Sequence, residues 1–588
     1  MIFGKHINKY YLKYGLFMLI GIIALVIVDI AQSKVPDIIG DITDGLSVGV
    51  GSSSFLTPET LKNLLLQLLT IALILFVGRF TWRLAIFGTG VRIESDLREE
   101  LFKKNERMSH AFLLEHKAGD LMTLYTNDIS AIRHCFSGGM LSLVDALCLG
   151  VVVFINMYKL NPYLALMCIL PLIGTVIVDH YVGKIIARKT EINFQAFGAL
   201  TDFVTEDFYG IGVIKAFVKE KNEQKRFDVL NKNNMDTCMA FVYDNTKLNV
   251  WFDAVYQSIT LIIMTFAAVA ALKQSDTLSV GNIVRFVSYY MMLIWPLEAI
   301  GGLINLRSQG RASLKRLSTL LDAKEEINDD KVDVKTSVQD ASVECRHLTF
   351  TYPKKGYANL KDVSLKINDG EMIGLISATG GGKSTLMDCL ARVWNVDDGM
   401  IYIGGKDIMT IPLAELHREV AYVNQTPFLF GDTMEANVLF SRNEVTSHDR
   451  EDALKACEIA GFELSKFPDG LDTIIGERGI TISGGQKQRL AIARGLIADA
   501  PILILDDSLS AVDTETEAKI IKNLKETRQG KTTIIVAHRI TTLSYMDKII
   551  VLEKGVLTGY DTPANLLSTN SYYQNEVALQ ALEEARHE

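Results

Sequence analysis

In the stretch "LISATGGGKSTLMDCL", Gly380, Gly381, Gly382, Lys383 and Ser384 stand between an apolar run of strand length and a helix-forming run. Three glycines let successive backbone N–H groups curl around phosphate oxygens, the lysine reaches the terminal phosphates, and the serine hydroxyl ligates magnesium. Thr379 and Thr385 belong to the same turn. The expected ligand is a nucleoside triphosphate with Mg2+. One departure stands out: the pattern G-x-x-x-x-G-K-[ST] has glycine where this chain has Ser377, so the start of the loop is expected to be less free to turn. Downstream, "APILILDDSLSAVD" reads as an apolar strand ending in Asp506, a position from which a carboxylate holds magnesium through water.

The elements that must position these residues fall in the second half of the chain. There, short apolar strands such as "MIGLIS", "ILILD" and "TIIVAH" alternate with helical stretches, the pattern of a mostly parallel α/β sheet. The first half is different. Six segments, at about 16–37, 60–85, 138–158, 161–183, 250–272 and 281–305, carry the roughly 20 mostly apolar residues that a membrane-spanning helix needs. The first follows Lys5, Lys9 and Lys13, but its apolar run is longer than that of a secretory signal and lacks a small-residue cleavage site, so it reads as a retained span. Lys and Arg concentrate in the two long connections, among them Arg92, Arg98, Lys103 and Arg107, and then Lys184, Arg188, Lys215 and Arg226, which places both connections and both termini in the cytoplasm. Helix periodicity in "VRIESDLREELFKKNERM" carries the spans well beyond the bilayer.

Residues 1–317 thus read as a six-span α-helical membrane domain with two cytoplasmic coupling segments. Residues 318–340, strongly charged and without a long apolar run, read as a linker, and residues 341–588 as an α/β P-loop domain. At 588 residues the chain exceeds the size of a single core. A net charge of -9 argues against nucleic acid as a partner, and the seven scattered cysteines form no C-x-x-C pair for zinc or redox chemistry.

Between the phosphate loop and Asp506 lies "ITISGGQKQRLAIARGL", and through this run the chain resembles the ATP-binding cassette superfamily. The resemblance extends over essentially the whole sequence and implies ATP as the nucleotide. It makes Tyr352 in "FTYP" the aromatic that stacks on adenine, Gln425 the sensor of the γ-phosphate and a magnesium ligand, Glu477 part of the loop facing the membrane domain, and His538 the switch histidine. "KAGDLMTLYTNDI" and "TEDFYGIGVIKAF" look like the two coupling segments of cassette exporters. In this family the signature residues Ser483, Gly484, Gly485 and Gln486 of one domain complete the ATP site on another, so a single cassette implies a dimer. The residue after Asp506 is normally glutamate, which polarises the attacking water; here it is Asp507, one methylene shorter and so about 1.5 Å further back. An aspartate there resembles the degenerate half of a heterodimeric bacterial multidrug exporter, paired with a different, glutamate-bearing half. His538 is retained, which leaves a slow homodimer open.

What the resemblance implies is ATP-driven export of hydrophobic or amphipathic compounds across a bacterial plasma membrane. Lipid or peptide cargo and an ATP-gated channel or regulator are the alternatives. Asp29, Asp145, Asp253, Arg285 and Glu298 lie in or near apolar spans and are candidates for cargo or ion contact. Pro296 is expected to kink the last span.

Overall fold

The computed structural model describes residues 4–47, 57–116, 118–272, 279–330, 340–353, 359–442, 448–476 and 481–587, with Val332, Val338, Tyr357 and Gly479. The chain divides into two compact units. One is Met1–Asn105 with Ala118–Ala323, and the other is Glu106–Lys117 with Lys324–Glu588.

The first unit is α-helical. Pro58–Glu106, Pro162–Tyr209, Glu220–Leu272 and Val280–Leu321 contain 49, 48, 53 and 42 residues. At about 1.5 Å per residue such helices reach roughly 60–80 Å, about twice the hydrocarbon thickness of a bilayer. Among the described residues, five helical segments are long and apolar enough to cross a membrane: Gly15–Leu46, Pro58–Glu106, Ala118–Leu160, Glu220–Val269 and Val280–Leu321. The fourth expected span opens the helix Pro162–Tyr209, whose apolar stretch among the described residues is Pro162–Thr175. Leu65, Leu69, Leu73, Phe76 and Phe80 are exposed along Pro58–Glu106, a surface suited to lipid rather than water.

Polar contacts gather where these helices leave the apolar zone. Lys9 and Lys13, the cations ahead of the first span, bond Glu100 and Asp96 at 2.6 Å each, which fastens the start of the chain to the charged half of Pro58–Glu106. Asp128, buried at the end of the π-helical turn Leu124–Asp128, is gripped by both arms of the Arg316 guanidinium, with Nε at 3.0 Å. Pro296 sits inside Val280–Leu321, which continues through it, and Gly150 of the helix Ile129–Leu160 approaches the proline ring so closely that a Cβ there would lie 3.3 Å from it.

Among the described residues the second unit holds ten strands: β1 (Val343–Phe350), β2 (Leu360–Ile367), β3 (Met372–Ser377), β4 (Ile401–Ile403), β5 (Lys406–Asp407), β6 (Val420–Val423), β7 (Ile502–Asp506), β8 (Thr532–Val536), β9 (Lys548–Glu553) and β10 (Val556–Asp561). One sheet has the order β2-β1-β4-β5 and is antiparallel throughout. The other runs β10-β9-β3-β8-β7-β6, with every pair parallel except β10 with β9. β3, β7 and β8 are buried at every residue, as both-face burial of a parallel sheet requires. Their side chains alternate between two cores: Ile376, Leu503, Leu505 and Ile535 enter one, while Leu375, Ile502, Ile504 and Ile534 enter the other.

Candidate active site

The parallel order β3-β8-β7-β6 brings four strand ends to one edge of the sheet. The phosphate loop follows β3, His538 follows β8, Asp506 ends β7 with Asp507 next, and Gln425 follows β6. Carboxyl ends of parallel strands are where open α/β sheets bind ligands.

Glycine is required in the phosphate loop on geometric grounds. Gly380 and Gly382 have φ of +78° and +104°, where a side chain is strained. At Gly381 an added Cβ would lie 1.7 Å from Ser377 Oγ. Gly382 precedes the helix Lys383–Leu390 and gives it no side-chain cap, so the first-turn N–H groups are left for an anion. Ser377 itself closes β3 in extended conformation, buried, with its Oγ donating to the Ala378 carbonyl at 2.9 Å. The expectation of a stiffened loop start is therefore not met at Ser377: the turn lies beyond it. Lys383 Nζ donates to the Ser377 carbonyl at 2.7 Å, and burial lowers its pKa against the pull of Asp507, Asp506 and Glu576. An ammonium so placed gains from an arriving phosphate.

The carboxylates lie opposite. Asp506 is buried, its Oδ1 accepts no hydrogen bond from the described residues, and burial pushes its carboxyl pKa upward, with the Ser384 and Tyr422 hydroxyls offsetting part of the rise. Tyr422 Oη stands 2.9 Å from Asp388 Oδ1 and 3.4 Å from Asp506 Oδ2, so one proton serves two carboxylates. Burial raises the Asp388 carboxyl as well. An orphaned buried oxygen in a cluster short of positive charge fits a divalent cation. Asp507 takes an unusual backbone, φ +47°, and its Oδ2 accepts from Gln425 Nε2 at 2.9 Å while Oδ1 lies 4.0 Å from His538 Nε2. Gln425, Asp507 and His538 thus form one group.

Tyr352 is held beside this site. Its hydroxyl pairs with Thr385 Oγ1 at 3.0 Å, and its ring meets Trp394 edge-on at 5.0 Å. Ser483 and Gln486 serve each other in a capping box at the start of the helix Gly484–Ile497, with Ser483 and Gly484 exposed. A Cβ at Gly485 would come 2.7 Å from the Ala511 carbonyl, so the signature turn lies against the loop that follows Asp507. Gln488 reinforces that contact by accepting from the Ala511 N–H at 2.9 Å.

Residues 18–297 match the ABC transporter transmembrane region, and residues 360–510 match the ABC transporter family. The chain is 33% identical over 582 residues to the probable multidrug resistance ABC transporter ATP-binding/permease protein YheI of Bacillus subtilis, covering 98% of this chain and 97% of that one. The chain belongs to the ABC transporter family. Its other relatives include the multidrug resistance-like ATP-binding protein MdlA of Escherichia coli, 31% identical over 95% of this chain and 94% of that one. The ATP-dependent lipid A-core flippase of Escherichia coli is 31% identical over 82% of each. A bacterial Atm1-family ABC exporter solved with ATP bound has the same fold, with a TM-score of 0.79, 23% identity, and 98% of this chain and 99% of that chain covered. The protein is accordingly a multi-pass ABC exporter in which a helical transmembrane domain precedes an ATP-hydrolysing cassette.

Tyr422, Asp388 and Gln488 of this exporter were not singled out in the sequence. Tyr422 carried a usable signal: it lies three residues before Gln425 on β6, next to the strand that ends in Asp506. Glu477 lies outside the described residues.

Proposed function

We propose that the chain is one half of a heterodimeric exporter of amphipathic compounds, whose own ATP site binds nucleotide and turns it over slowly. The observation that carries this reading is Asp507, its short carboxylate drawn onto the Gln425 amide at 2.9 Å in the position of the attacking water's base. The signature turn, Ser483 to Gln486, exposed at Ser483 and Gly484, would complete the productive site on a glutamate-bearing partner. Ser384 and Gln425 would hold Mg2+, with Asp506 reaching it through water. The ion neutralises phosphate charge when bound. Lys383 and the uncapped turn of Lys383–Leu390 bind the phosphates, Tyr352 faces adenine, and His538 positions the terminal phosphate against Asp507. ATP binding draws the two cassettes together, the coupling segments transmit closure to the spans, and hydrolysis resets them. Both termini and the cassette lie in the cytoplasm of a bacterial cell.

The amphipathic cargo is supported by a cavity of about 350 Å³ in the transmembrane unit, lined by Phe252, Tyr256, Leu297, Glu298 and Asn305, among others. Tyr256 Oη stands 3.4 Å from Glu298 Oε1, and Phe252 packs beside Tyr256. Aromatic faces and one carboxylate suit a compound with an apolar body and a polar or cationic end. In inside-out vesicles, a fluorescent amphiphile should accumulate with ATP and not with a non-hydrolysable analogue. Release of a preformed gradient by the analogue alone would identify a channel instead.

A further inference from the structure

The turn that carries His538 is held from outside the sheet. The helix Ile540–Leu543 begins at Arg539, which gives it no side-chain cap. Its first N–H, that of Ile540, instead donates to Gln580 Oε1 at 2.8 Å, and the same amide's Nε2 donates to the His538 carbonyl at 2.6 Å. One side chain thus satisfies a donor and an acceptor on either side of Arg539. Gln580 stands on the C-terminal helix Ser571–His587, 42 residues beyond His538. That helix is itself anchored: Tyr573 is buried in the cassette core, and Asn570 accepts from the Tyr573 N–H at 2.9 Å while donating to the Thr558 carbonyl at 3.1 Å. One turn before Gln580, Glu576 contributes to the negative field at Lys383. On its other flank the turn is fixed by buried Glu517, which takes both Arg539 and the Thr542 hydroxyl.

We infer that Gln580 is a positioning residue for ATP hydrolysis, acting through the main chain of His538 to hold the imidazole toward Asp507 and the terminal phosphate. Rotation of the His538 peptide would swing its side chain, which is half exposed and, among the described residues, approaches the Asp507 carboxylate at 4.0 Å as its nearest charged restraint. The amide removes that freedom by bridging two backbone atoms in a ring of fixed geometry. The C-terminal helix is then part of the active-site scaffold, and a displacement of that helix reaches the hydrolytic group without passing through the nucleotide. This inference rests on His538 acting in hydrolysis, and the experiment separates the two.

Turnover and ATP affinity are measured for the full-length chain in lipid, in whichever of the wild-type and Asp507→Glu proteins hydrolyses faster. His538→Ala, Gln580→Leu, Gln580→Glu and the His538→Ala/Gln580→Leu pair are compared with that parent. Gln580→Leu should lower kcat about tenfold with ATP Kd changed by less than about twofold, because orientation and not binding is lost. The double variant should be no slower than His538→Ala. Gln580→Glu can donate to the His538 carbonyl only when protonated, so its turnover relative to the parent should rise as the pH falls from about 8 toward about 5, a recovery that loss of helix packing would not produce. Parental kcat in Gln580→Leu, further slowing in the double variant, or a flat relative pH profile for Gln580→Glu would overturn the inference. Parental turnover in His538→Ala would overturn the role of His538 itself, and with it the clamp.

Discussion

Asp506 contributes to the pH dependence of the cassette's stability without nucleotide. Burial raises its folded-state pKa above the unfolded value, so the carboxyl favours folding below the ordinary carboxylate range, about 4, and that contribution is lost as the pH rises through the folded value. Without nucleotide and metal, Asp506→Asn is expected to unfold at a higher temperature than the wild type at pH 7.5, with the two curves converging near pH 4. It should also lose most of the stabilisation that Mg-ATP gives the wild type, and thermal unfolding monitored with and without Mg-ATP checks both. At the same scale, Gly382→Ala puts a side chain on a residue at φ +104° with its Cβ 3.1 Å from the Asn359 carbonyl, and should abolish ATP binding, as read by loss of labelled ATP from the purified protein. Gly485→Ala meets the Ala511 carbonyl instead. There, nucleotide affinity at the phosphate loop should hold within about twofold while turnover falls at least about tenfold, since the damage lies in what this chain offers to another cassette.

Among the elements, the π-helical turn Leu124–Asp128 is tied to the helix Val280–Leu321 by the Asp128–Arg316 pair. Asp128 is buried while the Arg316 side chain is more than half exposed. Arg316→Met would leave a buried carboxylate unpaired, at a cost of about 2–3 kcal/mol, the low end for buried pairs because solvent screens the guanidinium side. A thermal midpoint unchanged within error would contradict that assignment. Elements of this kind differ in how plainly the sequence announces them. β3, β7 and β8 read as continuous apolar runs because a doubly covered parallel sheet buries both faces, and the glycine-rich turn is legible because each glycine answers a local backbone demand. The long helices follow from apolar length. Gln580 is invisible to local reading for a physical reason: its partners lie 40 and 42 residues away and are met only after the sheet assembles.

For the whole molecule, one cassette supplies one phosphate loop and one signature turn, Ser483 to Gln486, in which the Ser483 and Gln486 side chains cap each other's backbone N–H groups while Ser483 and Gly484 are exposed. That arrangement asks for a second cassette. Asp507 bears on which of the resulting two sites does the work, because its carboxylate already contacts Gln425 and is too short to reach as far as a glutamate would. The most direct measurement is ATP turnover by the purified chain alone, in lipid, beside the same chain carrying Asp507→Glu. The account predicts a nearly silent wild type and a gain of about tenfold or more on lengthening the side chain. Brisk wild-type turnover, stimulated by amphiphiles and not raised by Asp507→Glu, would contradict it and show a working homodimer.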